Sequence, residues 1–225
     1  MSLTINENVY GLTESGKKIK IGTAAVMHDD IYITGGKIFY IDETSTGATY
    51  HFYNQDGTEV NNPAIGDSPY AYTVTGTPSK DKYYIANPTR VCTSKVFRDG
   101  TSDELVDIFS NTSGDIGTGK GNTIAAIAAS LAQSDTTIWY YLNQFNSTGD
   151  CTDWYIPSKT ELLTLATAVD GGGNKIVPAI LNCWSSTEYP YGNTATTKSS
   201  WLFKNGSLDR EYYVNKYSAY AIRSF

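Results

Sequence analysis

The segment from Cys183 to Phe225 contains the residues best suited to bind a ligand. Large apolar residues recur in it at Trp184, Trp201 and Phe203, and mostly Tyr, Asn, Ser, Thr, Gly and Asp lie between them. Rigid amphipathic rings provide contact area, and small polar side chains provide adaptable hydrogen bonds. Tyrosine and arginine are also common at binding hot spots, so we expect this segment to contact a ligand. The candidate ligand-binding residues are Tyr189, Tyr191, Asn193, Thr194, Thr196, Ser199, Lys204, Ser207, Asp209, Arg210, Tyr212 and Tyr213.

Patterns for other chemistry are incomplete. The glycine-rich run Gly114–Gly121 imitates a phosphate-binding loop, but glycine follows Lys120 where Ser or Thr is needed to hold magnesium. The only histidines, His28 and His51, have no Cys or acidic cluster at ligand spacing. The run Asn54–Gly57 lacks the alternating acids of a calcium loop and is better explained as a turn. The sequence therefore predicts no catalytic residue, no metal ion and no cofactor.

Composition excludes several partners. The chain has 225 residues, a net charge of −6 and no Lys/Arg run, which argues against nucleic acid or an anionic membrane as partner. No apolar run is long enough to insert in a membrane, and the first residues lack the pattern of a signal peptide. The three cysteines argue against a disulfide scaffold, although one Cys151–Cys183 bridge remains open.

Strand patterns dominate the first half of the chain. Residues 1–28 are predicted to form an N-terminal arm with one short strand, because polar and apolar residues alternate over Lys18–Ile21. Residues 29–225 then form one domain. It begins with strands at 31–42 and 48–54, a hairpin turn at Asp56-Gly57 and a further strand from Lys82. Residues 61–80 are predicted to form a loop or irregular strand, and residues 98–121 a loop with one helical turn at 103–109.

Two helices are predicted after these strands. The first spans residues 122–132 and has an apolar stripe that starts at Ile124. The second begins with the capping box Ser158-Lys-Thr-Glu161 and stops at the glycines from Gly171. Residues 137–141 between them are predicted to form a strand.

The last third is predicted to contain three strands, at 180–186, 201–204 and 219–223, with an Asn205-Gly206 turn after the second. The order of elements indicates the α+β class. We expect core positions for Trp154, Trp184, Trp201 and Phe203. Arg223 is expected to pair with a buried acid, and helix capping explains Asp153 and Glu161.

Several sequence motifs, which occur in a fixed order along the chain, resemble those of a known family. They are IYITGGKIFYID, Ile116–Ala129, Asp153–Leu162, Trp184–Glu188, Trp201–Gly206 and the terminal AIRSF. Over roughly residues 30–225 the chain resembles the C-terminal domain family of bacterial collagen-like adhesins, which is related to sulfatase-modifying factors. The resemblance implies a C-type lectin-like fold, with two helices flanking small antiparallel sheets, a loop-rich C-terminal binding surface and termini that lie close together.

The same resemblance implies a recognition function. The last third also resembles the variable proteins of diversity-generating retroelements, in which adenine-directed mutagenesis produces the mixture of residues seen over 189–217. The calcium motifs of classical C-type lectins and the catalytic cysteine pair of formylglycine-generating enzymes are both absent. Calcium-dependent sugar binding and enzymatic activity are therefore not expected.

Three functions remain as alternatives. The first is a non-enzymatic receptor-binding protein on a phage virion or cell surface, which recognises a protein or glycan ligand on a cell. Its arm would dock on a virion component or mediate homo-oligomerisation. The second is a bacterial surface adhesin module that binds polysaccharide. The third is an enzyme similar to sulfatase-modifying factors, for which the sequence offers no nucleophile–base pair.

Overall fold

The structure, a computed structural model, describes residues 32–99, 114–129, 134–148, 151–177, 180, 182–189 and 199–225, together with the backbone of three strands within residues 3–22. The described residues form three helices and, after the arm, two sheets of four and six strands, so the α+β prediction is confirmed. The resemblance implied two helices, and a third is present. The turn predicted at 103–109 and the boundary between residues 28 and 29 lie outside the described residues. None of the described helices has the length and apolar character needed to cross a membrane.

Three strands of the N-terminal arm pair with one another. They are β1 (Leu3–Ile5), β2 (Asn8–Leu12) and β3 (Lys18–Gly22), in the antiparallel order β1-β2-β3. The alternation of polar and apolar residues predicted β3. It could not predict β1 and β2, which contain only short stretches of alternation.

A four-stranded antiparallel sheet follows in the order β4-β8-β6-β7. Its strands are β4 (Tyr32–Ile33), β6 (Ala48–Tyr53), β7 (Glu59–Val60) and β8 (Ala71–Gly76). The predicted hairpin joins β6 to β7: Gly57 has a positive φ of 86°, and Asp56 Oδ1 accepts the amide of Thr58 at 3.0 Å. Strand β8 lies inside a segment that was predicted as a loop or irregular strand, and it is regular because it pairs with β6 along its whole length.

The six-stranded sheet has the order β12-β11-β10-β13-β9-β5 and forms the centre of the domain. Its strands are β5 (Lys37–Ile41), β9 (Tyr83–Val96), β10 (Cys183–Tyr189), β11 (Ser199–Lys204), β12 (Ser207–Tyr212) and β13 (Lys216–Ser224). Only β10 and β13 run parallel within the order. The β11–β12 hairpin turns at Asn205 and Gly206, whose φ angles of 52° and 89° suit a two-residue turn, as predicted.

The helices are α1 (Gly119–Ala128), α2 (Ile138–Thr148) and α3 (Lys159–Thr167). The strand predicted at 137–141 is wrong, because α2 begins at Ile138 and Thr137 forms an isolated bridge with Val96. Ile138, Trp139 and Leu142 are buried on one side of this helix, and Trp139 Nε1 donates to the carbonyl of Phe97 at 2.8 Å. Burial of one helical face therefore outweighs the β propensity of the run Ile-Trp-Tyr-Tyr.

The predicted first helix exists, but it buries a different face. Its buried residues include Asn122, Thr123 and Ala126, whereas Ile124 is 62% exposed. Asn122 Nδ2 donates to Ser186 Oγ at 3.3 Å, and Thr123 Oγ1 accepts the amide of Ile156 at 3.0 Å. The helix is therefore fixed to β10 and to the start of the α3 segment by hydrogen bonds between polar groups.

Two apolar cores lie on opposite faces of the six-stranded sheet. Trp184 and Leu202 pack on one face in the core that also contains Trp139 of α2. Phe203, which follows Leu202 and so points to the other face, packs in the core of α3 with Leu162. The Cys151–Cys183 bridge that the sequence left open does not form: all three cysteines are buried thiols without a disulfide.

Candidate functional site

The capping box of α3 sets the position of one side of the candidate site. Ser158 Oγ accepts the amide of Glu161 at 3.3 Å, and Glu161 Oε2 accepts the amide of Ser158 at 2.6 Å, as predicted. Glu161 is fully buried, and its Oε1 accepts the amide of Gly117 at 2.9 Å. Burial raises the pKa of this carboxyl, although hydrogen bonds from the backbone of Ser158, Gly117 and Gly119 oppose the rise. These bonds fix the first turn of the helix.

Lys159, the first residue of α3, is held over the sheet. Its amide donates to Thr187 Oγ1 at 3.0 Å. Its aliphatic stem lies directly against Gly114, where any Cβ would collide with it. Its ammonium nitrogen lies 5.0 Å from the centroid of the Trp201 ring, a distance suited to a cation–π contact.

The register of the β11–β12 hairpin places Trp201 and Arg210 side by side. The two residues are direct cross-strand partners, as are Tyr189 and Ser199 in the neighbouring pair. The rings of Tyr189 and Trp201 meet at 5.1 Å and 65°, and the Arg210 guanidinium lies 5.7 Å from the Tyr189 ring. We call Lys159, Tyr189, Trp201 and Arg210 the cation–aromatic cluster.

This cluster is accessible. Lys159, Tyr189 and Trp201 are half-buried, and Arg210 is exposed. Tyr212 lies on the same face of the hairpin, because it pairs with Ser199, and it is 45% exposed. Two large rings, each next to a cation, can offer apolar contact area and charged hydrogen-bond donors to one ligand.

The opposite face of the hairpin is organised around Glu211. Its carboxylate accepts from Lys204 Nζ at 3.1 Å, Tyr217 OH at 2.8 Å and Asn215 Nδ2 at 2.6 Å. Burial favours its neutral form, but these hydrogen bonds outweigh burial and lower the pKa of Glu211. The hydrogen bond with the Glu211 carboxylate raises the pKa of Lys204. This group ties the hairpin to the start of β13.

The predicted binding residues therefore separate into distinct sets. Tyr189, Arg210 and Tyr212 lie together on the accessible face, and Lys204, Ser207 and Asp209 belong to strand positions of the other face. Lys204 is already held by Glu211. The structure does not describe the side chains of the remaining candidates in the connection between β10 and β11, which are Tyr191, Asn193, Thr194 and Thr196.

Two of the predicted binding residues are buried in the structure and do not lie on the accessible face. Tyr213 is 1% exposed; its ring stacks on Phe97 at 4.9 Å, and its hydroxyl donates to Glu188. Ser199 is also buried, at the start of β11. Neither side chain can contact a ligand in this structure.

Sequence reasoning missed Lys159 and misassigned Trp201. Trp154, Trp184 and Phe203 are buried as predicted, but Trp201 is half-buried next to the cation–aromatic contacts. The turn signal could have identified this: a two-residue Asn205-Gly206 loop makes residues 201 and 210 cross-strand partners. Lys159 follows directly from the capping box, since it occupies the first helical position.

Groups that could have served catalysis or metal binding have structural partners. Arg223 pairs with an acid as predicted, but that acid, Asp153 at 2.9 Å, is partly exposed and not buried. Asp153 is therefore an ion-pair partner and not a helix cap. His51 contacts Glu59 at 2.9 Å. Across the described ranges, no group of three or more His, Cys, Asp or Glu side chains is arranged to hold a metal ion. In comparisons with known proteins, no family model, no curated protein and no solved structure matches the chain.

Proposed function

We propose that this chain is a non-enzymatic recognition protein whose cation–aromatic cluster, together with Tyr212, binds a protein or glycan ligand on a cell surface. The observation that carries the proposal is the half-buried Trp201, which lies near both Lys159 and Tyr189 on β11, the strand next to one edge of the six-stranded sheet. Tryptophan side chains in strands are usually covered by the core. Trp201 is only half-buried, and its neighbours are aromatic rings and cations of the kind found at binding hot spots.

The proposal includes a C-type lectin-like fold. Two observations support it. The sheets are small and almost wholly antiparallel. Arg223 Nη1 donates to the carbonyl of Ile33. The first and last strands of the domain that follows the arm therefore lie close together. The arm would then attach the domain to a virion component or to further copies of the chain.

Two double variants of strand β12 test the binding surface. Arg210→Ala/Tyr212→Ala removes side chains on the proposed binding face, and Ser207→Ala/Asp209→Ala removes exposed side chains assigned to the other face of the same strand. Fluorescently labelled full-length chains would be mixed with a panel of bacterial strains and measured by flow cytometry. We expect the first variant to lose cell binding and the second to retain it, with both melting within a few degrees of the parent chain.

Two outcomes would contradict the proposal. Equal binding by both variants would show that the cluster does not contact the ligand. A large fall in the melting temperature of Arg210→Ala/Tyr212→Ala alone would show that these side chains serve the fold.

Diversification by a retroelement is a separate part of the proposal. It predicts a reverse transcriptase gene next to the coding sequence and a near-copy of the DNA that encodes the last strands. Sequencing the neighbouring DNA tests this directly. If neither feature is present, a fixed adhesin surface is the better description.

A further inference from the structure

A second candidate site is a cavity of about 560 Å³ on another part of the domain. Its walls are the connection between β4 and β5, the turn that follows β6, the segment around Tyr70, Asn87 of β9, and residues of α2 and of the chain after it. No lining residue carries a charge. The volume lies within the range of pockets that bind small molecules.

Three carboxamides provide neutral hydrogen-bonding groups in the lining. Gln55 is exposed, and its side chain makes no hydrogen bond to the described residues. Asn87 Oδ1 accepts the amide of Thr89 at 2.8 Å, which leaves the Asn87 amino group available. Asn54 Nδ2 donates to Thr58 Oγ1 at 2.9 Å, which leaves its oxygen available. Groups that both donate and accept are suited to hydroxyls, which also do both.

Aromatic residues form another part of the lining. Trp154 and Phe145 meet edge to face at 6.0 Å, and Tyr70 also lines the cavity. Trp154 is 4% exposed, so it presents only a small part of its ring. Gly35, at a φ of 76°, brings the backbone against this wall: a Cβ there would lie 3.0 Å from Trp154 Cζ2 and 2.9 Å from Cys151 Sγ. The combination of apolar rings and neutral polar groups matches a ligand that has both C–H faces and hydroxyls.

The guanidinium of Arg223, which contacts three lining residues, does not make the cavity cationic. Arg223 is 6% exposed, and its Nη1 donates to the carbonyls of Ile33 and Thr34 and lies 2.9 Å from Cys151 Sγ. Its charge is paired with Asp153 at 2.9 Å. An anionic ligand would therefore lose hydration without meeting an unpaired positive charge.

From the neutral lining, the three carboxamides and the aromatic wall, we propose that this cavity binds a neutral saccharide of one or two sugar units. The site shares no residue with the cation–aromatic cluster. The two proposals therefore stand or fall separately.

The test is an NMR titration of the ¹⁵N-labelled full chain with neutral probes at tens of millimolar. The probes are the methyl glycosides of glucose, galactose, mannose and N-acetylglucosamine, and the disaccharides maltose, cellobiose and lactose. We expect at least one probe to shift the side-chain amide signals of Gln55 and Asn87. The amide of Gln144, which is exposed on α2 outside the lining, should stay unchanged.

Charged probes and variants make the test specific. Glucuronate, which replaces the hydroxymethyl group of glucose by a carboxylate, should bind more weakly than glucose. Gln55→Ala/Asn87→Ala should weaken binding about tenfold with little change in melting temperature, and Gln144→Ala should leave it unchanged.

Three results would overturn the proposal. The first is the absence of any shift with every neutral probe. The second is binding that the double variant does not weaken. The third is preferential binding of glucuronate, or of an N-acetylated dipeptide amide included as a peptide probe.

Discussion

The buried carboxylate of Glu161 connects the helix start to the loop before α1. Its two oxygens accept amides from Ser158 and Gly117 at 2.6 and 2.9 Å, and the hydroxyl of Tyr155 lies 3.5 Å from Oε1. Glu161→Gln keeps the size of the side chain but replaces one accepting oxygen by an amino group. That group would face a backbone N–H, so two donors would meet without an acceptor.

The size of the effect follows from these contacts. The variant loses one hydrogen bond and leaves a buried amide without an acceptor, which costs about 1–3 kcal/mol. The juxtaposed donors add to this, so we expect a total of about 2–4 kcal/mol. For a chain of this length, the melting temperature should fall by roughly 5–12 °C.

Thermal unfolding followed by circular dichroism provides the assay. The matched control is Glu59→Gln, because Glu59 is exposed and its carboxylate contacts His51, whose side chain is itself partly exposed. The control should change stability by less than about 0.5 kcal/mol. If the melting temperature of Glu161→Gln is as close to that of the parent as the control's is, the Glu161 carboxylate does not hold the helix start. The position of Lys159 would then not depend on it.

Two further substitutions test the contacts around β13. Arg223→Met removes the donor to Ile33 and Thr34 and leaves Asp153 without its partner, so we expect a loss of about 3 kcal/mol in urea denaturation; an unchanged midpoint would contradict this role. Glu211→Gln should cost about 1 kcal/mol at neutral pH. The pKa of Glu211 in the folded state is below its ordinary value of 4.5. The carboxylate therefore contributes its full stabilisation above pH 4.5 and loses it as the pH falls through the lowered pKa. The difference in the free energy of unfolding between the parent and Glu211→Gln should therefore become smaller in acid. A difference that does not change with pH would contradict this prediction.

Local signals in the sequence predicted the parts of the fold that local interactions determine. The capping box at Ser158, the Asp56-Gly57 turn and the Asn205-Gly206 turn each form as expected. In each case the backbone geometry depends on a side chain or glycine within four residues, so no distant partner is needed.

Elements that depend on distant partners were predicted less well. Residues 138–141 have strand propensity, yet they form a helix because Trp139 and Leu142 fill the core next to Phe97. In α1 the apolar stripe misled the prediction, since Asn122 and Thr123 find polar partners inside. Neither partner is visible in the local pattern.

The same distinction explains the candidate site. Tyr212 and Tyr213 are adjacent and equivalent in type, but Tyr213 ends in the core because β12 stops at Tyr212 and the chain then turns toward Phe97. Composition alone could not separate them.

The accessible face exists because of where α3 begins. On this face of the sheet, α3 packs over Phe203 through Leu162, and its first residue is Lys159. Side chains of a helix lean toward its N-terminus, so Lys159 extends past the helix end toward Trp201 instead of along the core. The capping box therefore determines the accessible surface as well as the helix, which is why the effect of Glu161→Gln on ligand binding should exceed what its loss of stability alone would produce.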